Sequence, residues 1–422
     1  MQIQKVRITN FKGIDEWEIE FKPGFNLIKG ENGKGKTSVL EAIAVGLGGF
    51  VAGFGNVATR HFSQDEIRLV YQEVGDGSYD KKYMVPVEVS LKAELDGEEF
   101  EWIRGRSSAK ASRSTIQPKK ISRKAEQMAN ESRVVLPVLA YQGAGRVWAQ
   151  RRERSENIFR KQYFRTVGYT DALLEASNNK LLLNWCVRME QVSWQKEMKI
   201  AEYEAVKRAV ADFMKCMEQN GEYEVFYDKQ QEDLMYRNND VVLPVCGLSA
   251  GYQSLIWMVF DIAYRMAVLN PCMKERITET NGVVLIDEID MHLHPKWQWN
   301  IINALRTVFP NVQFIAATHA PILFASAEDV WLIDVDQHEI HYDMSRYGRD
   351  ANSILREIMR VEERPAAVQK LLSKFYRAID EENVAEAEEL LNRIEGIVGG
   401  MDPEVSGAWV SLDFAKMRRD AE

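Results

Sequence analysis

Apolar and polar positions alternate over Ile3–Thr9 and again over Trp17–Phe21, and Phe25–Ile28 is a short continuous apolar run. The first two read as half-buried strands and the third as a fully buried one. The period then changes. Ser38-Val39-Leu40-Glu41-Ala42-Ile43-Ala44 is helical, and a glycine-rich octapeptide, Gly30–Thr37, separates strand from helix. Alternation returns over Tyr83–Leu95 and, beyond Asp96-Gly97, over Phe100–Arg104, which predicts a hairpin. Ser107–Ser132 is rich in Ser, Lys, Arg and Ala with few large apolar side chains, so it reads as a flexible excursion. Val134–Ala140 predicts a buried strand. Residues 146–237 read as mostly helical, with Trp185, Val192, Met198 and Ala205 among the apolar positions, too irregular for a long coiled coil.

The second half repeats the buried pattern. Leu255–Leu269 predicts a helix, Val283–Ile286 and Val312–Ala316 predict buried strands, and Val330–Val335 with Glu339–Tyr342 predicts a closing hairpin. From Ser353 onward the pattern is helical and acidic, and no internal repeat is present. The divisions this suggests are residues 1–145, 146–240, 241–345 and 346–422.

Composition narrows the class. A chain of 422 residues can bury a large core, and 45% hydrophobic with 28% charged residues is ordinary for a soluble globular protein. The longest apolar stretch, Ser254–Pro271, is interrupted by Asp261 and Arg265, so it reads as a buried helix rather than a membrane span. The first residues lack the shape of a signal peptide. Cys186, Cys216, Cys246 and Cys272 make neither a zinc pair nor a disulfide framework, and a cytoplasmic location is the expectation. Net charge is −9, but residues 104–165 hold sixteen Lys or Arg against four acids, +12, which leaves −21 for the rest. Such asymmetry fits a nucleic-acid contact and fits equally a solvated arm.

Three segments carry candidate chemistry. Gly30–Thr37 is GxxxxGK[ST] in its proper strand–loop–helix setting. Glycines at Gly33 and Gly35 let backbone N–H groups face phosphate oxygens, with Asn32 and Ser38 flanking them and the helix N-terminus adding positive potential. Lys36 reaches the β- and γ-phosphates, and the Thr37 hydroxyl binds Mg²⁺. Asp287-Glu288 ends the apolar strand Val283–Ile286, which places Asp287 beside the Mg²⁺ shell and Glu288 where an attacking water could sit. Leu248-Ser249-Ala250-Gly251-Tyr252-Gln253-Ser254 opens a helix, where a hydroxyl and unpaired N–H groups can meet an anion or simply cap the helix.

In that order the segments GENGKGKTS, LSAGYQS, VVLIDEIDMHLHPKWQ and QFIAATHAP resemble the ATPase heads of SMC, RecF and Rad-type repair proteins. LPVLAYQGAGR, LNPCMKE, HPKWQ and YGRDANSIL add a resemblance to the compact ABC-type ATPases of bacterial anti-phage loci, those of Septu systems and of some retrons. What the resemblance implies is an α/β fold: an ABC-type P-loop NTPase head with a mixed core sheet, an antiparallel β subdomain and an inserted helical lobe. It implies ATP and Mg²⁺ bound between two copies in a homodimer or larger homo-oligomer. Ser249, Gly251, Tyr252 and Gln253 would form the signature motif that meets the γ-phosphate held by the opposite copy. His319 would be the switch histidine, and Gln142 the Q-loop residue that helps hold Mg²⁺. His292-Leu293-His294-Pro295 would be the D-loop. It departs from transport proteins, which usually carry Asp where His294 falls. A metal site at His292 and His294 lacks a third ligand.

The same resemblance implies an effector nuclease of the HNH type and, for retrons, a reverse transcriptase with its RNA and DNA. No HNH-like cluster surrounds the six histidines, and the roughly 80 residues after the last core strand are too few for a TOPRIM domain. Asp334-Val335-Asp336 reads as structural, and cleavage is expected of a partner. The expectation is therefore an ATP-gated regulator in phage defence. A DNA-repair or DNA-end-binding ATPase of the RecF/SMC type is the alternative, and a transporter subunit the third reading.

Overall fold

The computed structural model describes residues 1–75, 78–146, 164–175, 178–219, 221–336, 339–341 and 347–421. Its first half contains β1 (Gln2–Phe11), β2 (Ile14–Glu20), β3 (Phe25–Lys29), α1 (Lys36–Val51), β4 (Leu69–Gly75), β5 (Ser78–Tyr83), β6 (Val87–Leu95), β7 (Glu98–Arg106), β8 (Thr115–Gln117), α2 (Lys120–Asn130), β9 (Val138–Gln142), α3 (Asn179–Lys196) and α4 (Ala201–Glu218). There follow β10 (Tyr223–Asp228), β11 (Asp233–Asn238), β12 (Val241–Pro244), α5 (Ala250–Leu269), β13 (Gly282–Ile286), α6 (Pro295–Gln298), α7 (Ile301–Val308), β14 (Val312–Ala317), α8 (Pro321–Ala325), β15 (Val330–Asp334) and β16 (Glu339–His341). The helices α9 (Ala351–Glu357), α10 (Ala366–Asp380), α11 (Val384–Val398) and α12 (Pro403–Ala421) complete the described elements. The chain divides into two compact units, Met1–Asp350 and Ala351–Glu422.

Two sheets build the first unit around α1. The core sheet runs β16-β15-β3-β14-β13-β9, parallel except at its β16 edge. Its central strands are buried on both faces, which explains why they are continuous apolar runs rather than alternating ones. The second sheet, β2-β1-β6-β7-β8, is antiparallel and alternates along β6. α1 packs between them on small residues. A Cβ at Gly46 would lie 2.6 Å from Leu91 Cδ1, and one at Gly49 would lie 2.5 Å from Trp102 Nε1. The Trp102 indole donates to the Gly46 carbonyl at 2.8 Å, so even this close approach leaves no buried donor unmatched.

Parallel order brings the C-terminal ends of β3, β14 and β13 to one edge. Ile286 lies opposite Ala316 on one side and Gln142 on the other, and Ala316 lies opposite Leu27. The glycine loop, Asp287-Glu288 and Thr318-His319 all leave the sheet from that edge. The second unit has its own core, where Leu372, Phe375, Ala387, Leu391, Ala408 and Leu412 are buried together.

Several expectations change. Ser107–Ser132 is not a featureless excursion: it forms β8 and α2, and Ile121, Ala125 and Met128, one turn apart along one face, join the main core. The few apolar residues of this segment, spaced for one helix face, are enough to order it. Residues 223–244, whose first part belongs to the expected helical stretch, form the antiparallel sheet β10-β11-β12 behind the helices α3 and α4. The inserted lobe is thus helical and stranded. Tyr83 ends β5 rather than starting a strand that runs to Leu95. Residues 147–163 of the expected helical stretch and Tyr342 of the closing hairpin lie outside the described residues.

Asp334 belongs to the fold, as its sequence context suggested. Its carboxylate meets Lys29 Nζ at 2.7 Å, with side-chain exposures of 2% and 7%. Removing one partner of such a pair leaves the other charge buried without its counter-ion. Asp334→Ala should lower unfolding free energy by about 3–5 kcal/mol in urea titration. An unchanged midpoint would mean that Lys29 finds another partner or water.

Candidate active site

The loop between β3 and α1 owes its shape to glycine. Gly33 and Gly35 have φ of 81° and 103°, a left-handed conformation that side chains with a Cβ resist. Asn32, Gly33 and Thr37 are exposed and Ser38 is half-buried, so the loop presents itself to solvent while Lys36 is drawn inward. Lys36 Nζ donates to the carbonyls of Gly30 at 2.7 Å and Glu31 at 2.9 Å. Burial pulls its pKa below the ordinary lysine value, against the opposing pull of Asp336, Asp287, Glu288 and Asp290. Asp336 also accepts the Glu31 N–H at 3.0 and 3.1 Å, tying the loop to the end of β15.

Thr37 and Asp287 meet directly, the hydroxyl donating to Asp287 Oδ2 at 2.8 Å. Asp287 is 2% exposed and its Oδ1 is buried with no hydrogen-bond partner. Burial raises its carboxyl pKa, with Glu288 adding to the rise and the Thr37 hydrogen bond opposing it. A buried, unmatched carboxylate oxygen beside a threonine hydroxyl fits a hard divalent cation, which prefers oxygen ligands.

Two residues passed over in the sequence hold this geometry. Arg146 is 4% exposed and donates to Ser254 Oγ at 2.8 Å, the Asp287 carbonyl at 2.8 Å, the Glu288 carbonyl at 3.1 Å and the Gly143 carbonyl at 3.3 Å. Burial lowers its pKa to about 10, still cationic at neutral pH. Asp290 Oδ1 accepts the Thr318 hydroxyl at 2.6 Å and the His319 N–H at 3.3 Å, locking the ends of β13 and β14 together. An arginine after Gly143-Ala144-Gly145 at a buried strand end is the sequence signal for the first. Glu288 has φ of 45°, an uncommon left-handed conformation for a residue with a side chain.

Gln142 touches this cluster through its backbone, whose carbonyl accepts the Asp287 N–H at 2.8 Å. Its side-chain amide donates to Asp261 Oδ2 at 2.7 Å, and Asp261 also pairs with Arg265 at 2.9 Å. The amide nitrogen is thus engaged with α5.

A second cluster gathers the residues expected to act on an opposite copy. Ser249 is the N-cap residue of α5, yet its side chain makes no capping bond and it is exposed. Gly251 is packed so closely that a Cβ would lie 2.6 Å from the His292 carbonyl. Gln253 serves its own chain, donating to the carbonyls of Cys246 at 2.9 Å and Leu248 at 2.7 Å. His294 caps α6, its Nδ1 accepting the Lys296 N–H at 3.2 Å. A cavity of about 550 Å³ lies here, lined by Glu218, Ser249, Tyr252, His292, His294, Lys296 and Trp297. No group of three metal-binding side chains occurs among the described residues.

The basic segment is less available than its charge suggests. Arg104 donates to the carbonyls of Gly48 and Arg60, Arg106 to those of Phe62, Ser108 and Ala109, and Arg165 to those of Met128, Ser132 and Val134. With Arg146, four of its cations serve the fold. Residues 147–163 of this segment lie outside the described part. Among the described residues no helix is long and apolar enough to cross a membrane.

The AAA domain family matches residues 5–232, and a second description, "AAA domain, putative AbiEii toxin, Type IV TA system", matches residues 229–325. The chain is 35% identical over 138 residues to the retron Vc95 probable ATPase of Vibrio cholerae serotype O1 biovar El Tor, covering 32% of this chain and 26% of that protein. It is 27% identical over 338 residues to the Septu protein PtuA of Bacillus mycoides (strain KBAB4), covering 76% of this chain and 38% of that protein. The aligned part therefore spans about a quarter to two fifths of these curated relatives. The solved SMC head bound to the C-winged helix domain of ScpA superposes with a TM-score of 0.50 at 16% identity, covering 79% of this chain and 94% of that one. The fold is that of an SMC-like ABC ATPase head, mixed α/β with separate antiparallel sheets.

The buried Asp287 makes an opposed pair of effects measurable. Its pKa in the folded chain is raised, so the native state holds the proton more tightly than the unfolded state. The stabilisation this gives is present at acid pH and lost as pH rises through the folded value. At neutral pH the ionised group burdens the nucleotide-free fold. Asp287→Asn keeps the Thr37 acceptor and should raise the melting temperature of nucleotide-free protein at neutral pH. It should also remove any added stabilisation by Mg-nucleotide. A lowered melting temperature at neutral pH would contradict the assignment.

Proposed function

Since this chain belongs to the AAA domain family, we propose that it binds and hydrolyses ATP and acts as the regulatory subunit of an anti-phage defence complex. The observation that carries the reading is the Thr37–Asp287 contact with its unmatched oxygen, set between Lys36 and Glu288. Retron and Septu ATPases among the relatives support the defence setting. In this reading closure of a homodimer on ATP, or of a larger homo-oligomer, controls an effector nuclease of the HNH type. In a retron setting the partners extend to a reverse transcriptase and its nucleic acid.

The chemistry follows from the residues at the sheet edge. Lys36 exchanges the carbonyls of Gly30 and Glu31 for phosphate oxygens, aided by the N–H groups of Gly33, Gly35 and Ser38 beside Asn32. Thr37 and Asp287 hold Mg²⁺, with Gln142 as the further candidate ligand. The ion supplies charge neutralisation at the phosphates. Glu288 orients water and receives its proton as the new P–O bond forms and the β–γ bridging P–O bond breaks. His319, anchored through its backbone to Asp290, faces the γ-phosphate end of the reaction. Ser249 and the first turn of α5 cap the triphosphate held by the other copy.

The RecF/SMC-like repair reading rests on the shared head fold. Its main sequence support was the basic segment, and the burial of Arg104, Arg106 and Arg146 reduces the cationic surface that segment offers.

Nucleotide binding and turnover separate the assigned roles. Lys36→Ala should lose Mg-ATP affinity in calorimetry by roughly 100-fold, the order of losing one strong charge-assisted contact. Glu288→Gln should retain binding while turnover falls about 10²–10⁴-fold. Turnover at the native rate in either variant would end the site assignment. Affinity capture of the native complex should recover a nuclease, and the lone chain should leave duplex DNA uncut.

A further inference from the structure

The cavity beside Ser249 is walled on one side by Glu218, a residue outside every motif, at the last turn of α4 in the inserted lobe. Its carboxylate has two phenol partners. Oε1 accepts the Tyr252 hydroxyl, and Oε2 accepts the Tyr223 hydroxyl at 3.1 Å. Tyr252 lies in the first turn of α5, three residues after Ser249, and Tyr223 begins β10. Hydrogen bonds to an ionised acceptor are stronger than neutral ones, and a carboxylate held by two donors on different elements has little freedom to turn.

The same junction reaches the segment after Glu288. The Tyr252 ring meets Trp297 edge-on with centroids 4.6 Å apart, and Asn300 Nδ2 donates to the Met217 carbonyl at 2.9 Å. Gly251 closes against the His292 carbonyl with no room for a Cβ. Tyr236 continues the cluster, 6.2 Å from Tyr223 and 5.9 Å from Tyr252 by ring centroids. The end of α4, the start of α5 and residues 292–300 are therefore joined by four kinds of contact: hydrogen bonds to a carboxylate, an amide-to-carbonyl hydrogen bond, an aromatic edge and close backbone packing.

We propose that Glu218 is a positioning residue for hydrolysis, fixing the first turn of α5 against residues 292–300 so that Ser249 is presented to the partner copy's triphosphate. The inference rests on the reading that Ser249 acts across the dimer. Glu218 touches no nucleotide; it acts through Tyr252. Orientation of a capping hydroxyl is the kind of effect that alters turnover while leaving each chain's own nucleotide grip alone.

The test compares full-length Glu218→Gln, Tyr252→Phe, the double variant and Ser249→Ala for Mg-ATP affinity, kcat and melting temperature. Both conservative substitutions preserve size, and Tyr252→Phe removes one hydroxyl only. Affinity is expected within about twofold of wild type, kcat about tenfold lower in each single variant, and the double variant no slower than the worse single one. Normal kcat in Glu218→Gln with impaired Ser249→Ala overturns the positioning role alone. Normal kcat in Ser249→Ala overturns the reading beneath it, and the proposal with it. A fall in kcat matched by lost affinity or a collapsed melting transition, or additive effects in the double variant, would assign Glu218 to general stability and also overturn it.

Discussion

A carboxylate held out of water with one oxygen satisfied and the other bare is an expensive object for a fold to maintain. Asp287 is such a group, and much of the surrounding architecture is what allows it to exist. The parallel sheet delivers it to the same edge as Thr37, which takes one oxygen. Arg146 lies beneath and grips the carbonyls of Asp287 and Glu288, so the backbone that carries both acids has little freedom to swing them toward solvent. Asp290 fastens the next turn to Thr318. Oδ1, buried and without a protein hydrogen-bond donor, is the oxygen of this pair suited to a cation in the proposed site.

The sequence made the core legible because its strands are buried on both faces. Continuous apolar runs at Phe25–Ile28, Val283–Ile286 and Val312–Ala316 leave little choice but interior strands of a parallel sheet, and the phosphate-loop glycines can be read directly from their spacing. Legibility failed where burial is thin. α2 enters the core with three residues in a polar, cationic background, and β10–β12 carry tyrosines and exposed valines whose period is blurred by a hairpin packed on helices. In both places tertiary contact, rather than local preference, decides the conformation.

Charge misled for a related reason. Counting cations over residues 104–165 treats every arginine as a surface group, yet Arg104, Arg106 and Arg146 each sit inside with their N–H groups on backbone carbonyls. Arginine suits that role because its fork serves several acceptors at once without losing its proton. The gain for the fold is satisfaction of carbonyls at loop crossings that no strand or helix reaches. The same residues therefore contribute to net charge and withdraw from any nucleic-acid surface, which is why a sum along the chain is a poor guide to a field outside it.

The site's two halves differ in how they are completed. Around Lys36, Thr37 and Asp287 the chain's own contacts, Lys36 on the Gly30 and Glu31 carbonyls and Thr37 on Asp287, fix the side chains of the proposed nucleotide site. Around Ser249 it has assembled a rigid presentation: Gly251 against the His292 carbonyl, Tyr252 between Glu218 and Trp297, and Gln253 folded back on the turn before the helix. Such stiffness is hard to explain by helix capping, since Ser249 does not cap. It suits the proposed closure on a second copy, where every degree of freedom left in the first turn of α5 would be lost again. Within one chain the two halves are tied through Asp287-Glu288, whose carbonyls Arg146 holds while the same arginine reaches Ser254 on α5. In the proposed dimer, a displacement of α5 by a neighbouring copy would be felt at Glu288, the acid proposed to activate water, through this buried guanidinium.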